Sequence, residues 1–340
     1  MKSKFTFTLP NNKTLDIKKY IEPLRISEND VVIVCGTLIE NIGNEFSDID
    51  VYIITEHYRT SNNIDISSYF RVISTNKEII KEKSEEDILL VHLPVEETGV
   101  KIDIEFKKFN DIDKLSDTLN EYYHYAINNH ILLTKEMSER NLSFIHRIHN
   151  GICIHNEERL TSLKNKLNQN IFNYYLYRLN ASDYADLLDI IGAWRKGELE
   201  RCFDLARENL IKQMLAYVCL IGNTDYKRKW ILTRIKQFKV QKILADNFCE
   251  LFLVSDNKTL KEYIIDTLDC VDEIYYLSSI FFRDNVNTAF PSAESVIAWL
   301  KTERNKVTKP YEIMEIEYRA RAYLVENNWS TKELLDRVYE

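Results

Sequence analysis

Glycine and proline are scarce in this chain, at 7 and 5 among 340 residues. That shortage argues against a turn-rich all-β architecture and favours helices. The six cysteines, Cys35, Cys153, Cys202, Cys219, Cys249 and Cys270, include no C-x-x-C pair. Such spacing gives neither a disulfide framework nor a zinc site, and points to reduced thiols in a cytoplasm. No stretch approaches the roughly 18 consecutive apolar residues of a membrane span, and residues 1–13 lack an apolar run of signal-peptide length. A cytoplasmic protein without membrane contact is therefore expected. Positive charge is short as well: 45 Lys and Arg stand against 53 Asp and Glu, a net charge of −8. This argues against a protein that coats nucleic acid, although a local basic groove stays open. The chain shows no internal repeat and no low-complexity linker.

A hydrophobic content of 45% is ample for a core, and the length suits two domains. The most informative stretch is Val31 to Thr55. Val31-Val32-Ile33-Val34-Cys35 is apolar and β-branched, hence strand-like. Gly36-Thr37 breaks it, and Asp48-Ile49-Asp50-Val51 opens a second apolar run. Alternation along a strand puts Asp48 and Asp50 on one face and Ile49 and Val51 on the other. Taken alone, such a pair can be no more than a solvated strand face. Two neighbouring carboxylates nevertheless repel unless a cation joins them, and Mg²⁺ prefers carboxylate and phosphate oxygens. Downstream, residues 100–106 alternate strictly, with Ile102, Ile104 and Phe106 on one face and Asp103 and Glu105 on the other.

An apolar residue, Gly, Ser or Thr, about ten residues, then Asp-apolar-Asp-apolar resembles the signature of the polymerase-β-like nucleotidyltransferases. Gly36, Thr37, Asp48 and Asp50 carry the match, with Ser47 before the first Asp as is common in the family. Thr37 departs from the commoner Ser but keeps the hydroxyl. The resemblance covers roughly residues 28–110 and looks closest to small bacterial enzymes related to aminoglycoside nucleotidyltransferases. It implies an α+β fold, with a nucleotidyltransferase domain of mixed sheet and helices over 1–115 and an all-helical domain over 116–340. It further implies a helix starting at Gly36-Thr37, whose N-terminus would meet a triphosphate.

The resemblance implies the chemistry too: transfer of NMP, AMP from ATP first among them, to an acceptor hydroxyl with release of pyrophosphate. Two Mg²⁺ ions would be held by Asp48, Asp50 and a third carboxylate, Asp103 or Glu105, with Asp103 preferred for its apolar-Asp-apolar context. The third carboxylate could also accept the hydroxyl proton. Gly36, Thr37 and Ser47 would lie against the phosphates. Loss of Asp48 or Asp50 is expected to abolish activity with little harm to the fold. The acidic balance favours a small-molecule acceptor; a protein or tRNA end, or a nucleotide-sensing module without turnover, are the alternatives. Oligomeric state is not legible.

Elsewhere, residues 4–9 read as a short strand, Pro10-Asn11-Asn12 as a turn, Leu15–Ile21 as a short helix, Asn76–Lys83 as a helix and Ile88–Leu93 as a strand. Helices are expected over Asp183–Trp194, Leu199–Leu220, Thr259–Leu268, Ser292–Lys301 and Tyr311–Val325, and a capping box at Ser330–Glu333 opens another. Asn150-Gly151 is a candidate domain break. Lys227-Arg228-Lys229-Trp230, with Arg234 and Lys236, is a basic run in an acidic chain. Related enzymes bring a lysine from the helical domain to the triphosphate, which makes Lys227 and Lys229 candidates; a solvated helix face is the plainer reading. Trp230 reads as core. His146, His149 and His155 read as structural, since His-x-x-His without a clearly spaced third ligand is weak evidence for zinc.

Overall fold

The computed structural model describes residues 5–131, 133, 135–181, 184–254, 258–285, 289–324 and 330–336. Lys4, Asp183 and Val325, at the ends of three expected elements, lie outside these residues. The protein is α+β, and it divides into two compact units: residues 1–118 with 139–168, and 119–138 with 169–340.

In the first unit, β1 (Thr6–Thr8) and β2 (Thr14–Asp16) form a hairpin around the Pro10–Asn12 turn, where Asn12 adopts a left-handed φ of 61°. Where a single short helix was expected, the chain first completes β2 and only then makes one helical turn, α1 (Lys18–Ile21). A six-stranded mixed sheet follows: β3 (Val31–Cys35), β4 (Ile49–Thr55), β5 (Arg71–Ser74), β6 (Ile88–Val95), β7 (Val100–Lys108) and β8 (Ile152–His155). Their spatial order is β5-β6-β7-β4-β3-β8, and β4 and β7 are its parallel pair. Val32, Val34, Val51, Ile53, Ile102, Ile104 and Phe106 share one face and are fully buried with Leu15 and Ile17 of the hairpin. Each such side chain contributes roughly 1.5–3 kcal/mol of burial. On the other face lies α3 (Glu139–Asn150), whose Phe144 meets the Tyr52 ring edge-on, 5.0 Å between centroids. The helix α2 (Phe109–Asn128) leads out of this unit, and α4 (Glu157–Lys166) closes it beside β8.

Three local expectations need correction. Asn76–Lys83 is no helix: Lys77 takes a φ of 68°, and the chain folds back so that Ile80 donates its N–H to Val72 and buries its side chain. Leu38–Gly43 is a series of turns, because Asn41 is left-handed at φ 58° and the N–H groups of Ile42 and Gly43 both turn onto the Thr37 carbonyl. No helix N-terminus is therefore presented at Gly36-Thr37. Residues 139–168, expected in the helical region, return to the first unit, and Asn150-Gly151 is a tight turn from α3 into β8 rather than a domain break.

The second unit holds α5 (Gln169–Asn180), α6 (Tyr184–Lys196), α7 (Leu199–Leu220), α8 (Ile231–Gln237), α9 (Lys242–Leu253), α10 (Leu260–Asp284), α11 (Ala293–Arg304) and α12 (Pro310–Ala320). Tyr174, Tyr175 and Tyr177 are buried in its packing, as their helical spacing suggests. The capping box is at Thr259 and Glu262, opening α10. At Ser330 the chain makes only a 3-10 turn, without a side-chain cap, and the neighbouring Thr331 hydroxyl bonds Asp272 instead. No helix among the described residues is long and apolar enough to cross a membrane.

Each unit contains a histidine held neutral. Burial pushes His149 down to about 4 while its Nε2 donates to the Leu167 carbonyl at 2.7 Å. His130, packed edge-on against Trp299, is pushed down to about 3, again by burial first. The unfolded chain would protonate both near pH 6.5, so it gains protons that the fold refuses, and stability falls as pH drops below that value. Between pH 7 and 5 each histidine should cost about 2 kcal/mol. Urea midpoints of wild type and His149→Gln at the two pH values test this; an equal pH dependence would refute it for His149.

Candidate active site

The site is built from period-two alternation. Asp50 pairs across β3/β4 with Cys35 and across the parallel β4/β7 pair with Asp103, so the two carboxylates stand on adjacent strands at one level. Glu105 lies one step further along, level with Tyr52. Gly36 follows β3 directly with a φ of +102°, and a Cβ there would sit 2.9 Å from Asp50 Oδ2. Backbone conformation and space both require glycine at this point. Gly43 serves the turn beyond it: a Cβ there would be 2.9 Å from each of the Thr37 and Ser47 hydroxyl oxygens. The Ser47 hydroxyl accepts the Asn44 N–H at 3.0 Å, fixing the loop that leads into Asp48.

Protein cations already meet every carboxylate of this face. Lys101 Nζ lies 3.4 Å from Asp48 Oδ2 and 2.9 Å from Asp103 Oδ2, so one ammonium joins the two. The other oxygen of Asp103 is 2.6 Å from His92 Nδ1 on β6. Arg147 of α3 bonds Asp50 Oδ2 at 2.8 Å and donates to the Tyr52 hydroxyl at 2.7 Å. Glu105 is held by Arg140 and, at 2.9 Å, by Lys107. Burial pulls Glu105 upward, but these two cations outweigh it and hold it below the usual carboxylate range.

Asp50 is different. Burial raises it to about 6; Arg147 opposes that shift, while Asp48, Asp103 and Glu105 reinforce it. Burial likewise raises the Tyr52 phenol well above its ordinary value. Asp50 is thus an enclosed group in an acidic neighbourhood, with 16% of its side chain exposed against 45% for Asp48. The sequence expectation that either can be removed without harm to the fold does not extend to Asp50.

The donor set, carboxylates on neighbouring strand ends, suits a hard divalent cation. Asp48 and Asp103 are close enough to share one positive charge, as Lys101 demonstrates. With the side chains as they stand, no three His, Cys, Asp or Glu among the described residues converge as around a metal ion.

Sequence reasoning missed His92, Lys101, Arg147 and Tyr52. His92 was within reach: counting back along the β6–β7 hairpin from Val95 opposite Val100 pairs it with Asp103. Lys101 is in phase with Asp103 two residues on. Nothing local announces Arg147, which meets Asp50 through tertiary packing alone.

Lys227 and Lys229 belong to the second unit. The Lys227 N–H is anchored on Asp225 Oδ1 at 3.1 Å, and Lys229 is exposed, 5.1 Å from the ring centroid of Trp230. Trp230 itself is half-buried rather than core. Arg234, part of the same basic run, is buried against Asp225 at 2.8 Å and so plays a structural part. The histidines near α3 do not converge: His146 meets Glu40 at 3.0 Å, His149 the Leu167 carbonyl, and His155 the Ser27 carbonyl at 2.9 Å.

No protein-family model matches the sequence, and no curated protein does. Among solved structures the chain is similar to a nucleotidyltransferase-like protein from Exiguobacterium sibiricum 255-15. The two share 12% identity, over 89% of this chain and 84% of that one, with a TM-score of 0.40. At that score the likeness carries no argument about the site.

Proposed function

We propose that this chain is a nucleotidyltransferase, moving NMP from an NTP, ATP first among them, to a hydroxyl of a small-molecule acceptor and releasing pyrophosphate. The observation that carries the reading is that Asp50 and Asp103 pair across the parallel β4/β7 strands beside the Gly36 turn, while Lys101 joins Asp103 to Asp48. Asp103 is preferred to Glu105 as third carboxylate, because it shares Lys101 with Asp48 while Glu105 is occupied by Arg140 and Lys107. Mg²⁺ bound to these carboxylates would stabilise charge on the attacking and leaving oxygens of the transfer. Gly36 leaves room for a phosphate to approach the backbone, and the Thr37 and Ser47 hydroxyls can donate to its oxygens. His92 fixes the orientation of Asp103 through its Nδ1 contact.

The test is transfer of label from each α-phosphate-labelled NTP, with Mg²⁺, into an extract of the source cells, beside Asp48→Ala. Label in a new small species from one NTP, lost in the variant, supports the reading; label on protein or RNA changes the acceptor. A second reading, nucleotide sensing without turnover, draws on the Arg147–Asp50 ion pair, which engages a carboxylate the chemistry needs. Nucleotide binding without pyrophosphate release in the complete extract would favour it.

A further inference from the structure

We propose that the first unit carries a second ligand site, an aromatic cleft away from the carboxylates that takes a flat ring bearing a positive charge. The cleft is lined from α1 and from the chain at the start of β5 and the end of β6. Its volume is about 680 Å³, and Tyr20, Pro23, Tyr69, Phe70 and Pro94 supply most of its apolar wall. Small-molecule sites commonly measure ~300–1,000 Å³ and are lined in this way. No residue of the carboxylate site lines it. His92 turns to Asp103, whereas Leu93 and Val95, out of phase with it along β6, share the hydrophobic core with the hairpin and reach this cleft. The inference is therefore independent of the nucleotidyltransfer reading.

The cleft is preformed. Lys13 Nζ donates to the Glu97 carbonyl at 2.8 Å, the Asn11 amide to the Thr98 carbonyl at 3.2 Å, and Lys19 Nζ meets Glu97 Oε1 at 3.3 Å. These contacts tie the hairpin and α1 to the turn between β6 and β7. The Phe70 N–H donates to the His92 carbonyl at 3.1 Å, so a fixed backbone holds a ring that is 72% exposed. A stacking partner would cover it. Tyr69 is buried, and its hydroxyl has no hydrogen-bond partner among the described residues. Leaving such a group unpaired is costly, and a ligand with a ring acceptor can supply the partner. Burial pushes this phenol up to about 12, so it keeps the proton it would donate.

Charge sets the sign of the ligand. Lys19 is taken up by Glu97, while Glu96 is exposed and forms no ion pair among the described residues. Ser67 and Ser68, also in the lining, hold a further carboxylate, Asp65, at 2.6 and 3.2 Å. Arg71, which does not line the cleft, lies 5.6 Å from the Phe70 ring centroid. The balance inside is negative, and aromatic rings themselves attract cations.

Isothermal titration calorimetry on the full chain tests this with two probes of one shape: nicotinamide, and nicotinamide methylated on its ring nitrogen, a flat cation with a carbonyl acceptor. The cation should bind with a Kd below about 1 mM, and roughly five-fold more tightly than the neutral amide. Phe70→Ala, at an exposed position that the core does not need, should weaken both about ten-fold. Glu96→Gln should bring the cation down to the affinity of the amide. Tyr69→Phe should weaken both probes while unfolding at no lower urea concentration than wild type, because an unpaired buried hydroxyl is gone. Asp48→Ala should bind both as wild type does. Failure of the cation to saturate, equal affinity for the two probes, or an unchanged Phe70→Ala overturns the proposal. Loss of binding in Asp48→Ala overturns it too, by moving the probe to the carboxylates.

Discussion

Asp48→Ala and Asp50→Ala should both abolish transfer, yet only the second should weaken the fold. The Asp48 side chain is 45% exposed and shares its contact with a half-exposed lysine, so its loss is expected to change stability by no more than about 0.5 kcal/mol. Asp50→Ala removes the charge that balances Arg147, leaving a largely enclosed guanidinium with the Tyr52 hydroxyl. Breaking such a pair from one side should cost roughly 3 kcal/mol. Asp50→Asn should cost less, since an amide still accepts a hydrogen bond and is spared the burial that lifts the carboxyl to about 6. Urea unfolding followed by circular dichroism separates the three; equal midpoints for Asp48→Ala and Asp50→Ala would refute the account.

Gly36→Ala is expected to be nearly as damaging. The backbone there has φ +102°, a region that costs an L-residue about 1–3 kcal/mol. The added methyl would also press to 2.9 Å on Asp50 Oδ2, the oxygen that holds Arg147, so strain should spread into the ion pair. Gly99→Ala is the matched control: its φ is +76° but no atom lies within 4 Å of the new Cβ, so it should show the backbone cost alone. Nucleotide affinity should fall in the first variant and hold in the second. A Gly36→Ala protein as stable as Gly99→Ala would mean that the close approach to Asp50 is relieved at no cost.

Much of the sheet was legible because alternation is a strong local signal. Ile102, Asp103, Ile104, Glu105 and Phe106 sort to two faces on paper as they do in space, and the parallel register then brings Asp103 beside Asp50. Of the long helices, Leu199–Leu220 was clear to the residue, but the 20 residues of α2 were not assigned and α10 was expected only over Thr259–Leu268 although it runs to Asp284. Short elements were less legible. The four residues of β8 form a strand because they add to the bare edge of β3, a partner fixed by the fold and not by their own pattern. Asn76–Lys83 and the helix expected to start at Gly36-Thr37 were misread because single left-handed residues, Lys77 and Asn41, decide them, and neither is glycine. The counter-charges of the site were hidden for the same reason as β8: Arg147 acquires its meaning only through the packing of α3.

The return of residues 139–168 to the sheet also orders events during synthesis. The chain leaves the first unit after residue 118, contributes 119–138 to the second, comes back, and departs again at 169. A ribosome must therefore release the chain through His155 before the last strand can dock on β3, by which time part of the helical unit has already emerged. A fragment ending near residue 115 would lack β8 and the helix that carries Arg147. It would expose the edge of β3 as a template for pairing with other chains. Three covalent crossings join the units, so a protease that cuts any one of them leaves the halves tethered by the other two.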